Sequence, residues 1–278
     1  MKKMLMMAGL ACVLFACGNA DEEKAAAFLT QAEQAWKSGN YNVAKQWIDS
    51  IRIVYPKAIE ARRNGVRLMQ KVELDEQQRS LVFLDSMMQE KQAKFEEMRS
   101  QYVLEKDTAY QEIGNYFDPS QTTEKNINRT FLRAQVSEDG KLTLTSVYSG
   151  RAWIHHKAVK AYCGDVTIET PVSTDIYETT DLGWMIEKAD YPMGKDGGLA
   201  AFIAQNTSNT IQLEFIGDRT QKLTMSAADK QAVAKVFQLA QVLSAIEEIE
   251  DQLTEANRKI QFINRRMEEQ ASAEQPEK

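Results

Sequence analysis

The chain has 278 residues, 43% apolar and 27% charged, with a formal charge of −6 and a pI near 5.2. That length holds one or two domains, and the absence of a basic stripe to neutralise phosphates argues against nucleic acid as a partner. Cysteine occurs only as Cys12, Cys17 and Cys163, too few for a disulfide framework.

Lys2 and Lys3 precede an apolar run from Met4 to Phe15. Its length suits the core of a signal peptide and falls short of the roughly 20 residues that span a bilayer. The run closes in Leu14-Phe15-Ala16-Cys17-Gly18. This stretch resembles the lipobox of bacterial lipoproteins, with an aliphatic residue, a small residue and then the acceptor cysteine; Phe15 departs from the commonest pattern. The alternative is an ordinary secretory signal cut near Ala16. The resemblance implies that residues 1–16 are removed and that Cys17 carries a diacylglycerol thioether and a further chain on its amine. Several acyl chains hold a protein on a membrane where one holds it only marginally. Cleavage takes away Lys2 and Lys3 and no acids, so the charge moves from −6 to −8. Gly18 is not the Asp of the common inner-membrane retention signal. Asn19-Ala20-Asp21-Glu22-Glu23 resembles the export tether of surface lipoproteins in Bacteroidota-type envelopes, and its acids also suit a helix start. The expected location is therefore the cell envelope, at the outer membrane, with the cell surface and the periplasm both open as the side the chain faces. Cys12 leaves with the signal, so Cys163 reads as a small buried hydrophobe.

Residues 17–56 read as the tether followed by a helical hairpin. Helices over 21–38 and 41–54 flank Ser38-Gly39-Asn40, and Tyr55-Pro56 stops the second. Gly39, Tyr41, Ala44, Ile48, Ile51 and Pro56, with Ala32 on the first helix, fall at offsets resembling one tetratricopeptide repeat. A single unit implies packing more than peptide recognition. Residues 57–117 read as a long helix, with Leu81, Leu84, Met88, Phe95, Met98 and Tyr102 forming a heptad-like stripe interrupted by Lys91 over roughly 57–113. Residues 226–270 read as a second long helix with a coiled-coil seam. Leu239, Val242, Ile246, Ile249, Leu253, Ala256, Ile260, Ile263 and Met267 repeat at spacings of three and four. Ser226 is placed to cap this helix, with Asp229 in its first turn. The tail 271–278 is small, polar and acidic and reads as disordered.

Between the long helices, residues 128–225 read as an antiparallel β-domain of about seven strands. Thr130–Val136 and Lys141–Tyr148 alternate around Glu138-Asp139-Gly140, a hairpin. Further strands are expected at 158–163, 165–170, 199–205, 209–217 and 220–225. The fold class is thus α+β: a helical hairpin and two long coiled-coil-like helices flanking an antiparallel β-domain. An antiparallel helix pair forming a stalk under a β-head is one arrangement; helices folded against the sheet, or joining copies of the chain, are the others.

The motifs of catalysis are sparse. No nucleophile elbow or phosphate-binding loop occurs, and Gly194-Lys195-Asp196-Gly197-Gly198 lacks the Ser or Thr that should follow Lys. His155-His156 with Cys163 and Asp165 is the one cluster of metal-ligating types. Adjacent strand residues point to opposite faces, so both histidines do not suit one ion. The expectation is no catalytic, metal or cofactor residue, and Cys17 as the one assigned site. Trp153, Tyr162, Tyr177, Trp184 and Tyr191 can pack a core or stack on a ligand. Asp49-Ser50-Ile51, Asp85-Ser86-Met87 and Asp107-Thr108-Ala109 resemble O-glycosylation acceptors of Bacteroidota-type envelopes, all on expected helices. The function expected is a non-enzymatic envelope lipoprotein that binds protein partners or copies of itself. A glycan- or ligand-binding surface lipoprotein, and a hydrolase with an unrecognised site in the β-domain, are the alternatives.

Overall fold

The computed structural model describes residues 16–107, 109–192 and 194–273, with side chains from residue 20 onward. The segment expected to be a signal peptide, apart from Ala16, and the side chain of Cys17 lie outside the described residues. Of those described, 16–86 with 252–273 form one compact unit and 87–251 form another. The elements confirm the α+β class, with helices on either side of an antiparallel β region. Among the described residues, no helix is long and apolar enough to cross a membrane.

The helical unit is built on small residues. Helices α1 (Ala16–Lys37) and α2 (Tyr41–Val54) form a hairpin. At its turn Gly39 takes φ of +73°, which a side chain resists, and its N–H donates to the Trp36 carbonyl at 2.8 Å. Ala32 and Ala44 are fully buried between the helices, and Leu68 and Val72 of α3 (Ile59–Arg99) close the cluster over Ile48. A second cluster joins Ala25, Ile51, Ala58 and Ala61 under Phe28 and Tyr55. The small side chains let backbones approach, and the aromatic rings fill what remains. Trp36 Nε1 donates to Asp75 at 2.7 Å, and Lys45 pairs with Glu76.

The β unit holds two antiparallel sheets. The first contains β1 (Val103–Glu105), β2 (Asn115–Phe117), β3 (Phe131–Ser137), β4 (Leu142–Gly150), β7 (Asp175–Asp181) and β8 (Trp184–Pro192), in the order β1-β2-β3-β4-β8-β7. The second contains β5 (Ala158–Cys163), β6 (Val166–Glu169), β9 (Gln212–Ile216) and β10 (Thr220–Thr224), in the order β10-β9-β5-β6. Leu132, Ala134, Leu144 and Tyr191 from one sheet share a single core with Val159, Ala161, Leu213 and Phe215 from the other. Helix α4 (Leu199–Gln205) and the first half of α5 (Ala227–Ala273) join that core through Ile203, Val233, Val236 and Leu243. The hairpin at Gly140 packs so close to α5 that a Cβ there would sit 2.3 Å from the Ser244 nitrogen, while Ser244 Oγ donates to the Gly140 carbonyl at 2.7 Å.

Several sequence readings need correction. The helix expected over 57–117 ends at Arg99. Tyr102 turns into the β core, donating to the Lys235 carbonyl at 2.9 Å, and residues 103–105 pair with 115–117. Tertiary pairing there outweighs a helical pattern whose last apolar member was Tyr102. The β region accordingly starts before residue 128. Residues 199–205 form a helix, not a strand: Leu199, Ala200 and Ile203 are buried at helical spacing, and Asp196 accepts the Ala200 N–H at 2.7 Å. That contact also accounts for the Gly194–Gly198 stretch as a turn. Strands β7 and β8 were not expected. Their two-residue turn has φ of +46° at Leu182 and +78° at Gly183. Both positions favour Asn or Gly, and Leu182 disguised the hairpin. Residues 271–273, expected in a disordered tail, belong to α5, which runs to Ala273; residues 274–278 lie outside the described set. The α5 start matches its expectation, with Ser226 Oγ accepting the Asp229 N–H at 3.0 Å.

Candidate functional site

The strands that alternate into the core leave their other side chains on the outer face of the six-stranded sheet. There β3, β4, β8 and β7 form the floor of a groove of about 390 Å³. Arg133 of β3 lies opposite Thr145 of β4, and Thr145 opposite Asp190 of β8, to which its hydroxyl is bonded. Val147 faces Lys188, which in turn faces Tyr177 of β7 with its ammonium 5.8 Å from the ring centre. Residues 121–129 supply one wall. Gln121 fixes that wall to the sheet, because β2 pairs with β3 only at its far end. Its amide nitrogen donates to the Leu132 carbonyl at 2.8 Å and its oxygen accepts the Ala134 N–H at 3.0 Å, so a side chain takes the place of a neighbouring strand.

The groove has both charge and unmet hydrogen-bonding capacity. Arg129 is held by Asp229 and Asn126, and Arg133 stacks 4.7 Å over Phe117 and reaches Glu105 at 3.4 Å. Lys188 has no salt bridge among the described residues. Two buried side-chain polar atoms there lack a protein partner, Arg133 Nε and Ser149 Oγ, and both belong to residues lining this groove. A buried donor left unmade costs about 1–3 kcal/mol; both atoms are closed to solvent, so a ligand meets them only where these two side chains turn into the groove.

Directly beneath, on the inner face, Ser146, His156 and Glu187 form a hydrogen-bonded series. Ser146 Oγ lies 2.8 Å from His156 Nε2, and His156 Nδ1 lies 2.9 Å from Glu187 Oε2. The order is that of a serine hydrolase triad, but all three residues are 0% exposed. Ser146 Oγ also reaches the Ala189 carbonyl at 3.3 Å. A sealed hydroxyl cannot meet a substrate, so this series ties β4, β8 and the 151–157 loop together. The loop is shaped to serve it. His155 adopts φ of +50°, which turns the N–H groups of Ile154, His155 and His156 onto the Glu187 carboxylate at 2.7, 3.0 and 2.9 Å. Gly217 is required underneath, since a Cβ would lie 2.2 Å from the Ile154 carbonyl oxygen. Burial opposes ionisation of Glu187, yet the backbone N–H groups and the His156 ring together hold its carboxyl below the ordinary range.

His155 leaves the loop on the outside, stacked at 5.8 Å on Trp153 and 2.8 Å from Glu178. The hydrogen bond to Glu178 raises its pKa. Ligand atoms of His155, Glu178 and Glu187 lie within 4.8 Å of one another. Glu187 already accepts four N–H groups, so two open ligands remain, fewer than the four of a structural zinc site. The cluster suggested by sequence does not assemble: Cys163 is half-buried on the β5–β6 hairpin against Asn206, at 3.5 Å, and Asp165 is exposed in its turn.

The five aromatic residues of the β-domain also disperse. Tyr191 is core, Tyr162 donates to Glu214 at 3.0 Å, Trp184 lies 4.1 Å under Arg151, and Tyr177 alone lines the groove. Of the three acceptor-like triplets, Ser50 and Ser86 are on helices. The third lies in the β1–β2 loop, contrary to expectation, and its Thr108 is outside the described residues. Sequence reasoning missed Gln121, Ser146, Glu178 and Glu187. The alternation that fixed the faces of β3 and β4 already put Arg133 and Thr145 outside; nothing local marks an acid on β8 as the partner of His156. No protein-family model, curated protein or solved structure matches the chain.

Proposed function

We propose that this chain is a non-enzymatic envelope lipoprotein, held on the outer membrane through lipid on Cys17, whose β-domain binds a protein segment in the outer groove. The observation that carries the binding reading is the groove of about 390 Å³ itself, whose floor presents the exposed Lys188, without a salt bridge among the described residues, beside Thr179 and Asp190. Along β4, residues 145 and 149 are about 13 Å apart at 3.3 Å per residue, so an extended peptide of about four residues reaches from Arg133 to Ser149. Backbone carbonyls supply acceptors along that length. Acidic and basic neighbours, Asp190 and Lys188, favour a partner of mixed charge. Dispersal of the aromatic rings disfavours a sugar, which needs stacking platforms. The sealed Ser146 supports the non-enzymatic part, and the lipobox-like stretch before Cys17 supports the anchor.

The test places a photo-crosslinking amino acid at Thr179 in the groove, or at Lys222 on β10, in the native cell. The expected result is a discrete protein adduct from Thr179 alone, lost on Arg133→Glu. Adducts equal at both positions, or a groove adduct made of saccharide, overturn the peptide reading. Fractionation and external protease on wild type and Cys17→Ala test the anchor. A chain that stays in the membrane without Cys17 overturns it.

A further inference from the structure

The helical unit carries a second groove, of about 560 Å³, that the proposed function does not use. Its lining contains four arginines, Arg52, Arg62, Arg63 and Arg266, against two acids, Asp49 and Glu73. In a chain of net charge −6 that is a local reversal of sign. Arg52 with Asp49, at 3.6 Å, and Arg63 with Glu60, at 3.1 Å, are exposed pairs that neutralise little. Arg62 spends one N–H on the Pro56 carbonyl at 2.8 Å. Beside the arginines in the lining stand aliphatic side chains that water gains nothing from wetting: Ile59 is 64% exposed and Val66 is 53%. Guanidinium forks match phosphate oxygens, and aliphatic groups next to them suit the boundary between headgroups and acyl chains.

The position of this groove in the unit matters more than its composition. Glu22 of α1 accepts the Ala61 N–H of α3, and Ala25 packs with Ile51 and Ala58. The start of α1, the end of α2 and the start of α3 therefore share one end of the unit. Cys17 lies five residues before Glu22 on the same helix, about 7.5 Å at 1.5 Å per residue. The residue read as the lipid anchor and the arginine-lined groove thus occupy the same end.

We propose that this end is a membrane-docking surface whose occupant is the phosphate of an anionic phospholipid headgroup in the bilayer that holds Cys17. The inference rests on the anchor reading of Cys17. Acyl chains alone leave a protein free to pivot, whereas arginines bonded to headgroups orient the helical unit against the membrane.

The experiment uses the full mature chain bearing Cys17→Ala, so that acylation plays no part, floated with vesicles. Vesicles of phosphatidylcholine alone are compared with vesicles containing phosphatidylglycerol. Binding at least about tenfold stronger to the anionic vesicles is expected, with about a fivefold loss for each arginine neutralised. Arg52→Gln, Arg62→Gln and Arg63→Gln together then lower it roughly a hundredfold. All three residues are exposed, so an unchanged circular-dichroism melt shows that the fold survives. Millimolar inorganic phosphate leaves the binding in place if a bilayer headgroup is the ligand. Equal flotation with both vesicles, indifference to the triple substitution, or displacement by free phosphate each overturns the docking surface. Acylation of Cys17 in cells is read separately: a docking failure with Cys17 acylated sinks this inference alone, and docking without acylation sinks the anchor reading alone.

Discussion

Ser146 and Thr145 are neighbours on β4, and Glu187 and Lys188 are neighbours on β8, yet each pair is divided between opposite faces of one sheet. On the inner face Ser146, His156 and Glu187 are sealed and partnered; Glu187 alone accepts four N–H groups. On the outer face Lys188 meets solvent and Arg133 Nε has no protein partner. The contrast separates two uses of polar chemistry. A constellation with the atoms of a hydrolase serves the fold when it is buried, because low dielectric makes each unmade bond costly. A less orderly set of groups facing a groove is the better candidate for recognition.

Substitutions test that contrast, beginning with the deepest group. Glu187→Ala strands three backbone donors and a histidine ring, and is expected to cost about 3–5 kcal/mol in urea unfolding. The same residue sets the acid limit. Its folded carboxyl lies below the ordinary value of 4.5, so its stabilisation is present above that pH and is lost as pH falls through the lower folded value. An acid midpoint unchanged in Glu187→Gln breaks the assignment. Gln121→Ala removes both side-chain bonds to the β3 edge and is expected to cost about 2–4 kcal/mol. Amide exchange at Ala134 should rise in the same variant, whose groove wall is loosened.

Ser146→Ala leaves His156 Nε2 unpaired and is expected to cost about 1–3 kcal/mol. Ester turnover should be at background in both wild type and variant. Turnover present in wild type and abolished by Ser146→Ala would falsify the structural role. Leu182→Asn relieves a side chain held at φ of +46° and should raise stability by about 1 kcal/mol. An unchanged thermal midpoint would mean that the turn is not strained. Smallest of all, Lys188→Met on the outer face removes an exposed ammonium 5.8 Å from the Tyr177 ring, and stability should move by no more than about 0.5 kcal/mol. A loss comparable with that of Glu187→Ala would erase the distinction between the two faces.

Local pattern made a large part of this architecture legible. The helical hairpin was readable from Gly39, Ala44 and Ile48, and the β3–β4 hairpin from its alternation around Gly140. The exposed charges Glu247, Asp251 and Arg258 of α5 lie where its heptads put them. These signals are short-range: a helix repeats every 3.6 residues and a strand every two, so a window of ten residues contains the information. The lipobox-like stretch is equally local and stands as the basis of a proposal.

Tertiary structure decided the rest. Helix α3 stops at Arg99 because Tyr102 is drawn into the β core, where its hydroxyl donates to the carbonyl of Lys235, 133 positions later. Residues 199–205 are helical because a buried Asp196 caps them and three apolar residues meet the core on one helical face. His156 finds its carboxylate thirty-one residues away, across strands whose turn contains an atypical leucine. In each case the deciding contact joins distant positions, and its energy exists only once both sheets have closed. The spacing of residues along the chain therefore determined which segments were helical or pleated over most of its length, while the closing of the core chose which acid, which histidine and which arginine would share a face.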